Sequence, residues 1–399
     1  MTAEFLYSGI RSFRKCTPGE TFDKVSPYFS RLGITRVASQ TGLDRVGIPV
    51  WCAYSPNARA IVIAQGKGAD DECARTSAAM EAVERIIATQ PDCETLCTTQ
   101  VQLQSDGCEV HPMKCLLTIG KQPIEPDETI NWARTTNLLT HAPTWVPFDA
   151  VSFDRTALEP RFWHSSDGLA SGNTWAEAVL HGLLERVERD ALTLWAVTNP
   201  AKRLSKRIDP ASLEDTELQM MLEKIDAAGL EIALFDISSD LDIACISALL
   251  APKKRSPGSL RHVDVTLGAG ASPFPLIAAS RAISEVVQSR MTFIAGARDD
   301  LLPSTFTQPA SPITLKAFDA PFGQKLDGMP VMAVGDTETA LDRLVAHLAE
   351  RDIDELYAVD IGPDWLPVSV AKVFAPQLEN PDGDRKVRFG SRALLRSLQ

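Results

Sequence analysis

Glu81-x-x-Glu84-Arg85 and Glu185-x-x-Glu188-Arg189 repeat one short motif, and Glu285-x-x-Gln288-x-Arg290 echoes it. Acidic residues three and four apart share a helix face. Along Trp175–Val197, at about 100° per residue, Glu177 and Glu188 point within about 20° of each other and Glu185 lies about 80° from Glu177. His181 falls in the same arc, while Leu180, Leu183, Leu184, Val187 and Ala191 form an adjoining apolar arc. Ser77, Glu81, Glu84 and Arg85 make a similar face on the stretch Asp70–Thr89. Clustered carboxylates repel beside a core unless protons, cations or metal ions compensate them. Hard oxygen ligands of this kind suit Mg²⁺, whose shell is completed by waters and substrate phosphates.

Each of these residues also has a plainer reading. Thr174-x-x-Glu177 fits a capping box. Glu84 and Glu188 can form solvated ion pairs with neighbouring arginines. Ser171-Gly172-Asn173 reads as a turn and cap. The chain has no G-x-x-x-x-G-K-[ST], no H-E-x-x-H and no G-x-S-x-G, and Gly268-x-Gly270 lacks a third glycine. The eight cysteines never form Cys-x-x-Cys, so free thiols are expected rather than zinc. Spacing alone therefore reaches a multi-carboxylate metal site and stops.

The 399 residues are 44% hydrophobic and 23% charged, with a formal net charge of −12. That composition supplies a large core and disfavours a general nucleic-acid binder. The lack of a long apolar run or a signal-peptide pattern predicts a cytoplasmic chain with no membrane span. Long helices are expected at Asp70–Thr89, Trp175–Val197 and Leu276–Ala295. Each follows a small-residue break: Gly66–Gly68, Gly168–Asn173 and Gly268–Pro275. Strands are expected near Pro49–Ala53, Ala60–Ala64, Glu231–Ile237, Ile243–Leu250, Glu355–Ile361 and Val368–Phe374, and a further helix at Thr337–Glu350. Lys253–Arg261 reads as a basic loop. The irregular alternation indicates α/β or mixed α+β. We divide the chain into an N-terminal lead-in (1–35), one main domain (36–375) and a tail (376–399).

Taken in order, Ser77-x-x-x-Glu81-x-x-Glu84-Arg85, Ser171-Gly172-Asn173-x-x-x-Glu177, Glu185-x-x-Glu188-Arg189 and Glu285-x-x-Gln288-x-Arg290 resemble the ATP-binding signature of YcaO-domain proteins. Arg298-Asp299-Asp300 resembles a further feature of that family. The stretch from Arg36 to Val50, with Gln65-Gly66-Lys67-Gly68, resembles the branch found with a TfuA-like partner. The likeness implies a YcaO-type fold of layered sheets and long helices. It implies ATP and Mg²⁺ as cofactors, with Glu81, Glu84, Glu177, Glu185 and Glu188 holding the metal. Asn173, Arg189, Gln288 and Arg290 would contact the nucleotide, and Arg189, Gln288 and Arg290 would act in catalysis. Lys67, Ser77, Arg85, Ser171 and Glu285 complete the expected cofactor-binding set.

The implied reaction is ATP-dependent activation of a peptide amide. A neighbouring Cys, Ser or Thr then gives an azoline, and external sulfide gives a thioamide. The implied partners are a ribosomally synthesised precursor peptide and a TfuA-like or E1-like protein that presents it; a homodimer is also compatible. The chain has no proline after Pro381, whereas many azoline formers end in a proline-rich tail. That favours thioamidation or a partner-dependent azoline former. Pro376-Gln377-Leu378-Glu379 resembles a family Pro-Gly-Leu-Glu segment, with Gln377 in the glycine position.

Overall fold

The structure, a computed structural model, describes residues 13–255, 260–296, 298, 301–380, 383 and 385–399. Asp299, Asp300, Pro381 and part of the Lys253–Arg261 loop lie outside the described residues.

The chain opens with helix α1 (Pro18–Val25), started by a Thr17/Glu20 capping box. An antiparallel sheet of β1 (Arg36–Ser39), β2 (Val50–Tyr54) and β3 (Ile63–Lys67) follows, and β3 runs into α2 (Asp71–Ala88). Strands β4 (Thr95–Thr98), β5 (Glu109–Val110), β6 (Ile130–Asn137), β7 (Pro143–Pro147) and β8 (Leu169–Gly172) begin a second sheet, and β8 runs into α3 (Trp175–Val197). The chain then builds a four-stranded sheet from β9 (Arg207–Ile208), β10 (Leu230–Asp236), β11 (Ala244–Pro252) and β12 (Thr266–Ser272), with α4 (Thr216–Ala227) between β9 and β10. From β12 it enters α5 (Pro275–Ala295). After α6 (Thr337–Ala349), β13 (Tyr357–Asp360) and β14 (Ser369–Phe374) return to the second sheet, making its order β5-β7-β6-β13-β14-β8 with β4 on β6. Helix α7 (Ser391–Ser397) ends the chain.

The mixed α/β class agrees with the expectation, and all three long helices lie within a residue or so of their predicted bounds. All three small-residue breaks overlap strands, Gly66 and Lys67 forming the end of β3. Gly168–Asn173 contains β8, paired with β14, and Gly268–Pro275 overlaps β12, paired with β11. Their small residues answer to packing. A Cβ on Gly172 would lie 2.6 Å from the amide nitrogen of Ala178, and one on Gly268 would lie 2.2 Å from that of Val286. In each case the following helix folds back directly onto the strand that precedes it. The third unit, β3–α2, packs the same way through Gly66. β3, β8 and β12 are each the edge strand of their sheet. Edge strands carry unpaired amides and carbonyls that need other partners.

Helix α3 is the axis of the molecule. Leu180, Leu183, Leu184, Val187 and Ala191 all bury in the core between the second and third sheets, as the apolar arc predicts. On another side Asp190, fully buried, takes both guanidinium branches of Arg392 at 2.9 Å and accepts the Glu379 amide at 2.9 Å. Glu379 in turn accepts the amides of Gly390 and Ala393. The Pro376–Glu379 segment thereby fastens α7 to α3, and Gln377 caps the turn at Asp354 and Glu355.

Candidate functional site

The edge strands and the helical carboxylates answer one another. Glu81 on α2 accepts the Gln65 amide of β3 at 3.0 Å and pairs with Arg85. Arg85 also donates to the Ile63 carbonyl at 2.6 Å. Glu84, one turn on, reaches across to the next unit and accepts the Ser171 amide at 2.9 Å and its hydroxyl at 2.6 Å. Glu185 on α3 accepts the Gly168 amide at 2.9 Å. Gln288 on α5 donates to the Gln65 carbonyl at 2.8 Å. Lys67, at the end of β3, pairs with Glu285 of α5. Three strand–helix units thus meet at one place, each lending side chains to another.

Glu177 is 2% exposed. Its amide does cap on Thr174 at 3.3 Å, as the plainer reading holds. Its carboxylate nevertheless faces inward, where it accepts the Asn173 amide at 2.7 Å, the Lys15 amide and, at 3.2 Å, the Asn173 side chain. Arg14 stands 3.8 Å away and donates to the Ser171 carbonyl at 3.1 Å. Asn173 is held by Thr21 and Lys24. The N-terminal segment therefore forms one wall of this place.

Arg189 binds the α3 carboxylates together, with Glu185 at 3.1 Å, Glu188 at 3.6 Å and Asp167 at 3.4 Å. Burial pushes the carboxyls of Glu84, Glu185 and Glu188 upward. Glu84 rises to about 8, with Glu81 and Glu185 adding repulsion and the Ser171 hydroxyl opposing. Glu188 is raised by burial and by Glu285. Burial also acts on Glu285, but Lys67 and Arg189 outweigh it and hold that carboxyl low. His181 is kept neutral by burial and by Arg281, Arg14 and Lys67 around it. Glu84 gives a sign to the pH dependence. Its folded value lies above the ordinary 4.5, so between about 4.5 and 8 the folded chain holds a proton that the unfolded chain has released. Stability from this group falls as pH rises through that window. Urea midpoints measured across it should show the slope, and Glu84→Gln should flatten it.

The structure gathers Lys67, Glu81, Glu84, Arg85, Ser171, Asn173, Glu177, Glu185, Glu188, Arg189, Glu285 and Gln288. Ser77 sits half-buried one turn before Glu81. Arg290 goes elsewhere: on α5 it lies about 140° from Glu285 and donates to Asp44 at 2.6 Å. Asp44 belongs to the Thr41–Val50 stretch. The five expected metal carboxylates are not drawn into one cage; among the described residues no three metal-binding groups converge. Each carboxylate is instead placed by its own donor. Arg14, Asp167 and Arg281 lie outside the motifs that the spacing picks out. Arg281 stands one turn before Glu285, a spacing that carried a signal, whereas Arg14 meets Ser171 across 157 positions.

The donor set suits a magnesium-bound nucleotide. Raised, buried carboxylates want a cation. The Nε atoms of Arg189 and Arg281 are buried without a hydrogen-bond acceptor, a state that phosphate oxygens relieve.

Known proteins agree. Residues 65–379 match the YcaO family, described as YcaO cyclodehydratase, ATP- and Mg²⁺-binding. The chain is 37% identical over 394 residues to an uncharacterized protein in the tfuA 3′ region of Rhizobium leguminosarum bv. trifolii, covering 96% of this chain and 92% of that one. It is 32% identical over 375 residues to an uncharacterized protein of Methanothermobacter thermautotrophicus, covering 91% and 94%. YcaO from Methanopyrus kandleri, solved with AMPPCP and Mg²⁺, superposes with a TM-score of 0.74 at 23% identity over 94% of each chain. A heterocyclase in complex with substrate and cofactor gives 0.75 at 21% identity over 92% of this chain, which spans about half, 53%, of the heterocyclase. At these identities the superpositions establish the fold. With the family match over most of its length, this chain belongs to the YcaO family of ATP- and Mg²⁺-binding proteins, in its TfuA-associated branch.

Proposed function

We propose that this chain binds Mg–ATP where its three strand–helix units meet and uses it to activate backbone amides of a ribosomally synthesised peptide. The observation that carries the reading is the set of raised, buried carboxylates of α2 and α3 beside the Nε atoms of Arg189 and Arg281, buried without a hydrogen-bond acceptor. When bound, Mg–ATP supplies the phosphoryl group that turns a poor leaving group, the amide oxygen, into phosphate. Glu81, Glu84, Glu177, Glu185 and Glu188 would hold the cation between them and the phosphates, as the family resemblance implies. Arg189 and Arg281 would donate to phosphate oxygens, a role of positioning and charge neutralisation. His181, kept neutral, adds no charge to that surface.

Gln288 and Ser171 act through the strands: they fix the amide-bearing edges that orient Glu81 and Glu84. Arg290, tied to Asp44, would hold the Thr41–Val50 stretch against α5 rather than touch phosphate. A TfuA-like partner is supported by the name of the Rhizobium relative, which places it in the tfuA 3′ region. A peptide substrate and partner subunits are supported by the similarly folded heterocyclase, solved with substrate, and by the microcin synthetase McbBCD complex, solved with pro-MccB17 at a TM-score of 0.61.

The test is co-expression with a precursor peptide and a TfuA-like partner, followed by mass spectrometry. Loss of one water from the peptide means an azoline. Exchange of one oxygen for sulfur means a thioamide, the product we expect. An unmodified peptide, with Mg–ATP bound and the partner present, would overturn the catalytic reading and leave a nucleotide-binding scaffold.

A further inference from the structure

Strand β14 carries a charged group into the interior, on the far side of Asp167 from the helical carboxylates. Lys372 is 6% exposed, and its ammonium donates to the carbonyls of Ser165 at 2.7 Å and Asp167 at 2.8 Å. An ammonium has three donors, so one is left. Arg186, 3% exposed, gives Nη2 to the Glu379 carbonyl at 2.9 Å and leaves Nη1 buried with no hydrogen-bond partner. Native proteins leave few such groups unanswered.

Both side chains line a small cavity, open to solvent on one side, between the Lys114–Leu116 turn, β14 and the segment before β8. Asp167 lines it too, already engaged by Ser165 at 2.5 Å and by Arg189. Arg186 and Lys372 therefore outweigh it by one positive charge. The remaining wall is largely apolar, with Met113, Leu116, Trp163 and Phe374. Burial has drawn Lys372 down to about 8, which marks how little solvent screens it.

We propose that this cavity is a subsite for a carboxylate on an apolar stem, such as an acidic side chain or chain end of a peptide offers. A guanidinium beside an ammonium matches the two oxygens of a carboxylate. One net positive charge suits a monoanion better than a phosphate dianion. The apolar wall suits methylene groups, and a bare inorganic ion would leave it unused. Asp167 lines the cavity and pairs with Arg189 at 3.4 Å, so one side chain links the cavity to the nucleotide site. The peptide as carrier rests on the function proposed above; the carboxylate chemistry rests on the cavity.

The experiment is calorimetric titration of the full chain with N-acetyl-L-glutamate, N-acetyl-L-glutamine and acetate, read beside binding of Mg²⁺ and a non-hydrolysable ATP analogue. The glutamate analogue is expected to bind about tenfold tighter than the glutamine analogue and tighter than acetate. Arg186→Met should erase the preference while nucleotide binding persists. Because Arg186 also holds the Glu379 carbonyl, Trp163→Ala gives a second reading: it should weaken N-acetylglutamate and leave acetate unchanged. Equal binding of the two amino-acid analogues, or a preference that survives Arg186→Met, overturns the subsite. Acetate as tight as N-acetylglutamate overturns the apolar stem. None of these readouts needs peptide modification, so a chain that fails to modify peptide can still pass them, and one that modifies peptide can still fail them.

Discussion

Glu188→Gln is expected to lower peptide modification by about a hundredfold or more, while the melting temperature holds or rises. The side chain is 2% exposed, and its ion-pair partner, Arg189, lies at 3.6 Å, beyond hydrogen-bond reach. Burial and Glu285 both disfavour its charge. A neutral amide of the same shape removes that penalty from the folded chain, and Arg189 keeps Glu185 and Asp167. A structural ion pair behaves the opposite way, because breaking it strands a buried charge. Parallel measurement of turnover, Mg–ATP affinity and thermal unfolding separates the two. Lost stability with retained affinity would show that Glu188 is a packing element and not part of the nucleotide site.

Gly66→Ala should cost more than about 3 kcal/mol, or leave no folded protein to assay. The added Cβ would lie 2.0 Å from the Ala78 amide nitrogen and 2.1 Å from the Ala74 carbonyl. Both are backbone atoms of α2, so no side chain can swing aside. The helix must move off β3, taking Glu81 and Glu84 with it. Gly42→Ala is the control: nothing lies within 4 Å of its Cβ, and a change within about 0.5 kcal/mol is expected. Thermal or urea unfolding of the two variants decides.

These two residues also show what sequence reasoning could reach. Glu188 stood out because carboxylates recurred at helical spacing, and helix α3 begins and ends where the pattern said. The glycines before the helices read as breaks because a strand rich in Gly, Ala and Ser carries no apolar alternation. Their smallness reflects a helix lying directly on the strand backbone, a tertiary demand that no local window contains. The family resemblance groups Arg290 with Gln288, yet two positions on a helix turn a side chain by about 200°. Arg14 was invisible because its partners lie in α3 and β8. Arg281 is legible, one turn from Glu285, but the motif begins after it.

The bonds between units also set an order of events during synthesis. Ser171 meets Glu84 across 87 positions, and Gln288 meets Gln65 across 223. Contacts of such long range form late, since the intervening chain must first be closed. A nascent chain emerging from the ribosome can fold α2 onto β3 by itself, but Glu84 must wait for β8, and Gln65 must wait until α5 has been made. Nucleotide binding should therefore appear in one step near the end of translation, and fragments ending before Pro275 should show none of it.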